Sequence, residues 1–197
     1  HEAPRTLFPD ARRVDGRWIL ARRHSPRANG RAGPEHEEET VQIPARHPEI
    51  HALAVSAAGD LPDAAARARA LNGFVHEFIT YKPGHPPQSV LTLLESRLGD
   101  CTEFADLLTS LARSLGLPAR TVFGLAYADG QEPAFAYHAW NEIQIDGEWH
   151  AFDPTWGQER VDATHIPLPE DEAAAMMLLT GAVSLRFEVV DVRYFAD

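Results

Sequence analysis

The 197-residue chain carries 18 Lys plus Arg against 29 Asp plus Glu, a net charge of −11. That balance argues against nucleic acid or an anionic lipid surface as a partner, because no surplus of positive charge exists to displace their counterions. With 44% hydrophobic residues and no apolar run long enough to span a bilayer, the chain reads as a globular protein with a sizeable core and no membrane insertion of its own.

The chain begins at His1 rather than Met, so it is expected to be a processed or shortened product; a removed export signal or an upstream β domain of a longer precursor would leave no trace in it. Residues 1–50 have weak periodicity and read as an N-terminal extension or linker. Within them Arg13-Val14-Asp15-Gly16-Arg17-Trp18-Ile19 predicts a short hairpin around an Asp-Gly turn. The arginines from Arg12 to Arg31 read as a solvated surface or a domain junction. Ser25 to Glu39, with Pro26, Gly30, Gly33 and Pro34, reads as a loop.

Order strengthens after Asp60. Pro62 suits a first helical turn, and Leu71, Phe74, Val75 and Phe78 recur at helical spacing until Pro83, Gly84, Pro86 and Pro87 stop the helix. A second, short helix is expected from Ser89 to Leu98, closed by Gly99. The third is marked at both ends. Asp100 is a good N-cap and Glu103 completes a capping box, while Gly116 and Pro118 end it. Phe104, Leu107, Leu108, Leu111 and Leu115 form its apolar stripe. Strands are predicted over 119–127, 135–145 and 148–152, the last two flanking Asp146-Gly147. Val183, Leu185, Phe187 and Val189 alternate with polar residues and predict one more. Helices first and antiparallel strands afterwards make an α+β class.

Cys101 is the chain's one cysteine, so no intrachain disulfide forms and the redox compartment stays open. Lone cysteines are mostly small buried hydrophobes, but this one falls at the first position of the best-marked helix. The helix end carries about half a positive charge there and favours thiolate over thiol. The hairpin supplies partners. A two-residue Asp146-Gly147 turn pairs Ile145 with Glu148 and sets Trp140 opposite Asp153. It also puts Asp153 diagonal to His138 on one face, at about 7–8 Å between Cα atoms. His138 alone would read as a core histidine, and Asp153 before Pro154 as a turn former. With Cys101 they make a different set: a thiolate nucleophile, a base, and a carboxylate that fixes the imidazole tautomer.

At these residues the chain resembles the transglutaminase-like group within the papain-like cysteine hydrolase fold. The matching stretches are Gly99-Asp100-Cys101, Ala112-Arg113-Ser114-Leu115-Gly116-Leu117-Pro118-Ala119-Arg120, His138-Ala139-Trp140-Asn141-Glu142 and Phe152-Asp153-Pro154-Thr155. They span roughly Leu61 to Ile166, in the family's order Cys, His, Asp. The resemblance implies a nucleophile helix packed on an antiparallel β-sheet, within a catalytic domain of residues 51–197. It implies Cys101, His138 and Asp153 as catalytic residues, and thioester chemistry on a Gln side chain or a peptide bond of a peptide or protein substrate. The oxyanion would be held by the Cys101 backbone N–H and an upstream donor, Tyr81 or Gln88. No cofactor and no obligatory metal are implied, since the long calcium-binding insertions of animal transglutaminases have no counterpart here. A bacterial member in an exported, periplasmic setting is favoured over a cytoplasmic one. Ala163-Thr164-His165-Ile166 looks like a stretch seen in bacterial members, and His165 reads as structural.

The acyl-enzyme could be resolved by water, as in a protease or amidase, or by an amine, as in cross-linking; a compact domain favours water. A metal-dependent protein is a competing class. His47-Pro48-Glu49-Ile50-His51 is faintly like the zinc helix motif. Its Glu is misplaced, Pro48 disfavours a helix interior, no ligand cluster follows downstream, and neither His36 nor His85 improves the case. An inactive binding module that keeps the fold is a third class, opposed by the presence of Cys101, His138 and Asp153 together.

Overall fold

The computed structural model describes residues 11–20, 30–128 and 134–168. They divide between two compact units, the smaller holding residues 11–20, 128, 134–135 and 168 and the larger residues 30–127 and 136–167. In the smaller, β1 (Arg12–Val14) pairs antiparallel with β2 (Arg17–Ile19), Arg12 opposite Ile19. Asp15 and Gly16 turn the chain at φ 48° and 79°, the positive pair that a tight two-residue hairpin turn demands. This is the hairpin the Asp-Gly signal predicts.

In the larger unit, residues 30–47 are loop but for one 3-10 turn at Pro34–His36, and they lie against the rest of the unit rather than linking to it. The Gly30 carbonyl accepts from Trp149 Nε1 at 3.0 Å and from Gln144 Nε2 at 3.2 Å, and the Glu38 carbonyl accepts from Arg113 Nη1 at 2.7 Å. A loop pressed on a surface has to satisfy its backbone polar groups this way.

Helix α1 (Pro48–Ala58) was not anticipated. Its inner face is Ile50, Ala54 and Ala58, and alanines write a faint apolar pattern. Pro48 stands at the start of the helix, where its missing N–H costs nothing. Helix α2 (Ala64–Phe78) starts just after Pro62, with the Asp63 carboxylate accepting from Ala66 N–H at 2.7 Å. Strand β3 (Thr80–Tyr81) follows, then α3 (Val90–Ser96), capped by Ser89. The expected run to Leu98 is corrected: Arg97 turns left-handed at φ 52°, and β4 (Leu98–Gly99) pairs parallel with β3. Thr80 and Lys82 N–H donate to the Arg97 and Gly99 carbonyls, each at 2.8 Å, and hydrogen bonds that a continued helix would forgo decide the outcome.

Helix α4 (Cys101–Ser114) comes next, with the predicted boundaries; Gly116 follows at φ 74°. Strands β5 (Ala119–Ala128), β6 (Ala134–Ile145), β7 (Glu148–Phe152) and β8 (His165–Pro167) complete one sheet in the order β7-β6-β5-β8. β6 and β7 pair antiparallel in the register derived from the turn, from Ile145 opposite Glu148 to Asn141 opposite Phe152. β8 pairs with β5, His165 opposite Ala126; the three-residue strand was not anticipated. The strand predicted over 183–189 lies outside the described residues.

The core forms where α1, α2 and α4 pack together and onto the sheet. Leu71, Val75, Phe104, Leu107, Leu108, Leu111, Ile143 and Ile145 belong to one buried cluster. A second cluster joins Trp140, Ala151 and Val161. Trp140 and Ile143 differ in parity along β6, so the two clusters flank the strand on opposite faces. Full burial of such side chains is worth about 1.5–3 kcal/mol each before the entropy cost.

Candidate active site

The N-terminus of α4 is built by three acidic-to-amide contacts. Asp100 Oδ1 accepts from Thr102 N–H at 3.0 Å, and Glu103 Oε2 accepts from Asp100 N–H at 3.0 Å. Glu103 Oε1 accepts from Gln88 N–H at 3.2 Å and ties the preceding loop to the helix. Gly99 is required for this closure, because a Cβ there would meet Glu103 Cβ at 2.7 Å. Cys101 thus stands, part-exposed, on a helix end whose position is fixed from both sides. Its N–H has no intrahelical acceptor.

Deeper along α4, Asn141 of β6 donates to the Ala105 carbonyl and to Thr109 Oγ1, both at 2.8 Å. The helix is thereby fixed in register on the strand that carries His138. Asp153 follows β7 directly and leaves the ladder to bridge with Gln158. All four of its acceptor positions are used. Oδ1 takes the N–H groups of Thr155 at 2.9 Å and Trp156 at 3.2 Å. Oδ2 takes His138 Nε2 at 2.8 Å and His165 Nε2 at 3.1 Å. An ionised carboxylate has no proton to give, so both Nε2 atoms are the donors, which leaves Nδ1 of His138 for the thiol.

The electrostatics agree with that arrangement. Burial pushes the His138 imidazole down, but hydrogen bonds to Asp153 and to the Cys101 sulfur, with their negative charges, outweigh it and hold the ring at about 9. Burial would likewise raise the Asp153 carboxyl; the bonds from His138 and His165 overcome it and hold it at about 2. Trp156 stacks on the His138 ring, 4.4 Å between centroids and 15° between planes, a geometry that favours a cation in the imidazole.

Cys101, His138 and Asp153 therefore lie in sequence, sulfur to imidazole to carboxylate. The two upstream candidates differ. Tyr81 is more than half exposed, and its hydroxyl is raised by burial and then by the negative charges of Cys101 and Asp100. Tyr137 is pushed up to about 12 by burial and by the same two charges. The Gln88 side chain is engaged at both ends: its amide donates to the Leu98 carbonyl, and its oxygen accepts from Ser96 Oγ at 3.1 Å.

Among the described residues His138, Asp153 and His165 converge closely enough to be examined as a metal site. Their contacts are those of hydrogen bonds. Asp153 Oδ2 stands 2.8 and 3.1 Å from the two nitrogens, the spacing of a shared proton. With each Nε2–H donating to Oδ2, neither of these nitrogens turns a lone pair toward a cation there. Four other described histidines are engaged individually. His47 caps α1 through Glu49 N–H, His51 meets Ser114 Oγ at 3.1 Å, His36 accepts from Gly33 N–H at 3.0 Å, and His85 contacts the Pro86 carbonyl at 2.9 Å.

Two residues of this cluster escaped sequence reasoning. His165, read as structural, reaches Asp153 because β8 pairs with β5, a long-range event with no local signature. Trp156 is only three positions beyond Asp153, but its stacking follows from the loop closed by Asp153 and Gln158.

Residues 51–154 match the transglutaminase-like superfamily. Kyphoscoliosis peptidase of mouse is 34% identical over 77 residues, and the human protein 33% identical over 75 residues. Each match covers 36% of this chain but only 12% and 11% of those proteins. Among solved structures, a proposed cysteine protease of Cytophaga hutchinsonii aligns with a TM-score of 0.58 at 25% identity, over 72% of this chain and 48% of that one. The periplasmic domain of TgpA from Pseudomonas aeruginosa aligns with a TM-score of 0.50 at 24% identity, over 62% of this chain and 46% of that one. The chain thus spans under half the length of each relative; the stretch that matches the superfamily, residues 51–154, holds Cys101, His138 and Asp153. With the family's residues matched over more than half its length, on a helix-and-sheet core of the same kind, the chain belongs to the transglutaminase-like superfamily.

Proposed function

We propose that the protein is a thiol-dependent acyl-transfer enzyme that acts on amide bonds of a peptide or protein, with Cys101 as nucleophile, His138 as acid–base and Asp153 as the carboxylate that orients it. The observation that carries this reading is His138, held between Asp153 Oδ2 at 2.8 Å and the Cys101 sulfur. At neutral pH the imidazole is charged. The thiolate attacks the amide carbonyl carbon, and the His138 proton passes to the departing nitrogen as the C–N bond breaks, leaving a thioester. Water, deprotonated by the now neutral His138, attacks the thioester and expels the thiolate, and the proton remains on His138. The Cys101 N–H and the Tyr81 hydroxyl are the oxyanion donors we assign; Gln88, bound at both ends, instead supports the loop.

Water is the acceptor we favour, in keeping with the peptidase and proposed protease among the relatives. Incubating the protein with casein peptides and a labelled primary amine, then weighing the products, tests both acceptors. Shortened or deamidated peptides that vanish with Cys101→Ala support hydrolysis. Amine adducts that vanish with the same variant move the assignment to transamidation. Products that persist in Cys101→Ala would contradict the proposal.

A further inference from the structure

His165 is fully buried, yet it is polar and spends its Nε2–H on the same Asp153 oxygen that holds His138. That oxygen needs no second donor to stay in place. The Thr155 and Trp156 N–H groups already anchor the carboxylate through Oδ1, and a protein interior that wanted only volume there would use an apolar side chain. The ring is itself fixed. Its Nδ1 meets Thr164 Oγ1 at 3.1 Å, that hydroxyl donates to Asp162 Oδ1 at 2.5 Å, and the ring sits edge-on to Trp140 and Trp156.

A donor on an anionic oxygen draws off charge that the oxygen would otherwise offer its other partner. We propose that His165 is a positioning residue that acts on His138 through Asp153: by sharing Oδ2 it limits how firmly His138 holds its second proton, and so sets the alkaline end of the site's working range. The titratable groups facing His138 are Asp153 after β7, Cys101 at the head of α4 and His165 on β8; Tyr137 lies within reach of the charges of Cys101 and Asp100, and Asp162 stands beside His165. This inference rests on the reading of His138 as the acid–base of the site. Its cost is plain. A His138 that could never release its proton would serve as an acid toward the leaving nitrogen and fail as the base toward water.

The test is to follow the ring signals of His138 by NMR across pH in the full chain, assigned with His138→Ala. In His165→Phe, which keeps a ring and loses the donor, the His138 midpoint is expected to rise by about half a unit or more. In His165→Gln, whose amide nitrogen reaches the Nε2 position, it should stay near the wild-type value. His165→Asn, too short to reach Asp153, should behave like the Phe variant and serves if the Phe variant does not fold. A midpoint that falls or stays put in both donor-less variants, while wild-type His138 titrates well above 6.5, would overturn this inference alone. A wild-type midpoint near the free value of about 6.5 would overturn the reading of the site and this inference with it.

Discussion

Asp106 shows how one partly buried side chain ties stability to pH. It sits one turn beyond Cys101 on α4, where Thr121 Oγ1 donates to its Oδ1 at 2.9 Å. Burial outweighs that bond and pushes the carboxyl up to about 6, with the nearby Glu103 charge adding to the rise. The unfolded value is about 3.9. Between the two, the native state keeps a proton that the unfolded chain releases, so the contribution to stability is present below about pH 4 and is lost as pH rises through 6. Asp106→Asn keeps an acceptor for Thr121 and removes the titration. It should leave stability unchanged at pH 4 and raise it by about 1–2 kcal/mol at pH 8, measured by urea unfolding at the two values. Equal effects at both would show that burial of the charge is not the cause. Sequence reasoning gives Asp106 no special weight, because nothing in one chain's order of residues reports the dielectric around a helix position.

Among elements, those with local signals were the ones correctly anticipated. α4 has a cap, a capping box, an apolar stripe and a terminating glycine, and each is realised in the structure. The β6–β7 register follows from a two-residue turn, with Asp146 and Gly147 at φ 52° and 82°. α1, β3, β4 and β8 were missed for a common reason: their stability is tertiary, and the helix expected to run to Pro83 ends at Phe78 to let β3 form. α1 buries alanines, β4 exists through pairing with β3, and β8 through pairing with β5. Gly124 of β5 shows how tight that last pairing is. A Cβ there would come within 2.3 Å of the Trp140 ring and 2.4 Å of the Ile166 carbonyl. Gly124→Ala should therefore displace either Trp140 or β8 and cost about 1–3 kcal/mol. His165 adjoins Ile166, so the variant should also weaken the hold on Asp153, visible as a fall in product formation at temperatures where the protein is still folded. Unchanged stability would mean that β8 does not press on β5 as described.

At the scale of the molecule, the site is a convergence of three distant segments. Cys101 comes from the head of α4, His138 from the middle of β6, and Asp153 from the turn after β7. The sequence order and turn chemistry bring His138 and Asp153 to one side of a hairpin; only the packing of α4 on β6, through Asn141, brings the sulfur to them. The linkage of residues 30–47 to Trp149 and Arg113 was equally invisible beforehand, since loops carry no periodicity. The central claim is that this convergence makes Cys101 reactive, and alkylation by iodoacetamide, a neutral reagent, as a function of pH tests it directly. In the native protein the rate should remain appreciable below pH 7, where a free thiol with a pKa near 8.5 is almost wholly protonated. Unfolding in urea should abolish that low-pH reactivity, and His138→Ala should abolish it without unfolding, with Asp153→Ala having a smaller effect. If native, unfolded and His138→Ala proteins instead share one profile centred near pH 8.5, the fold does nothing to the thiol and the account fails.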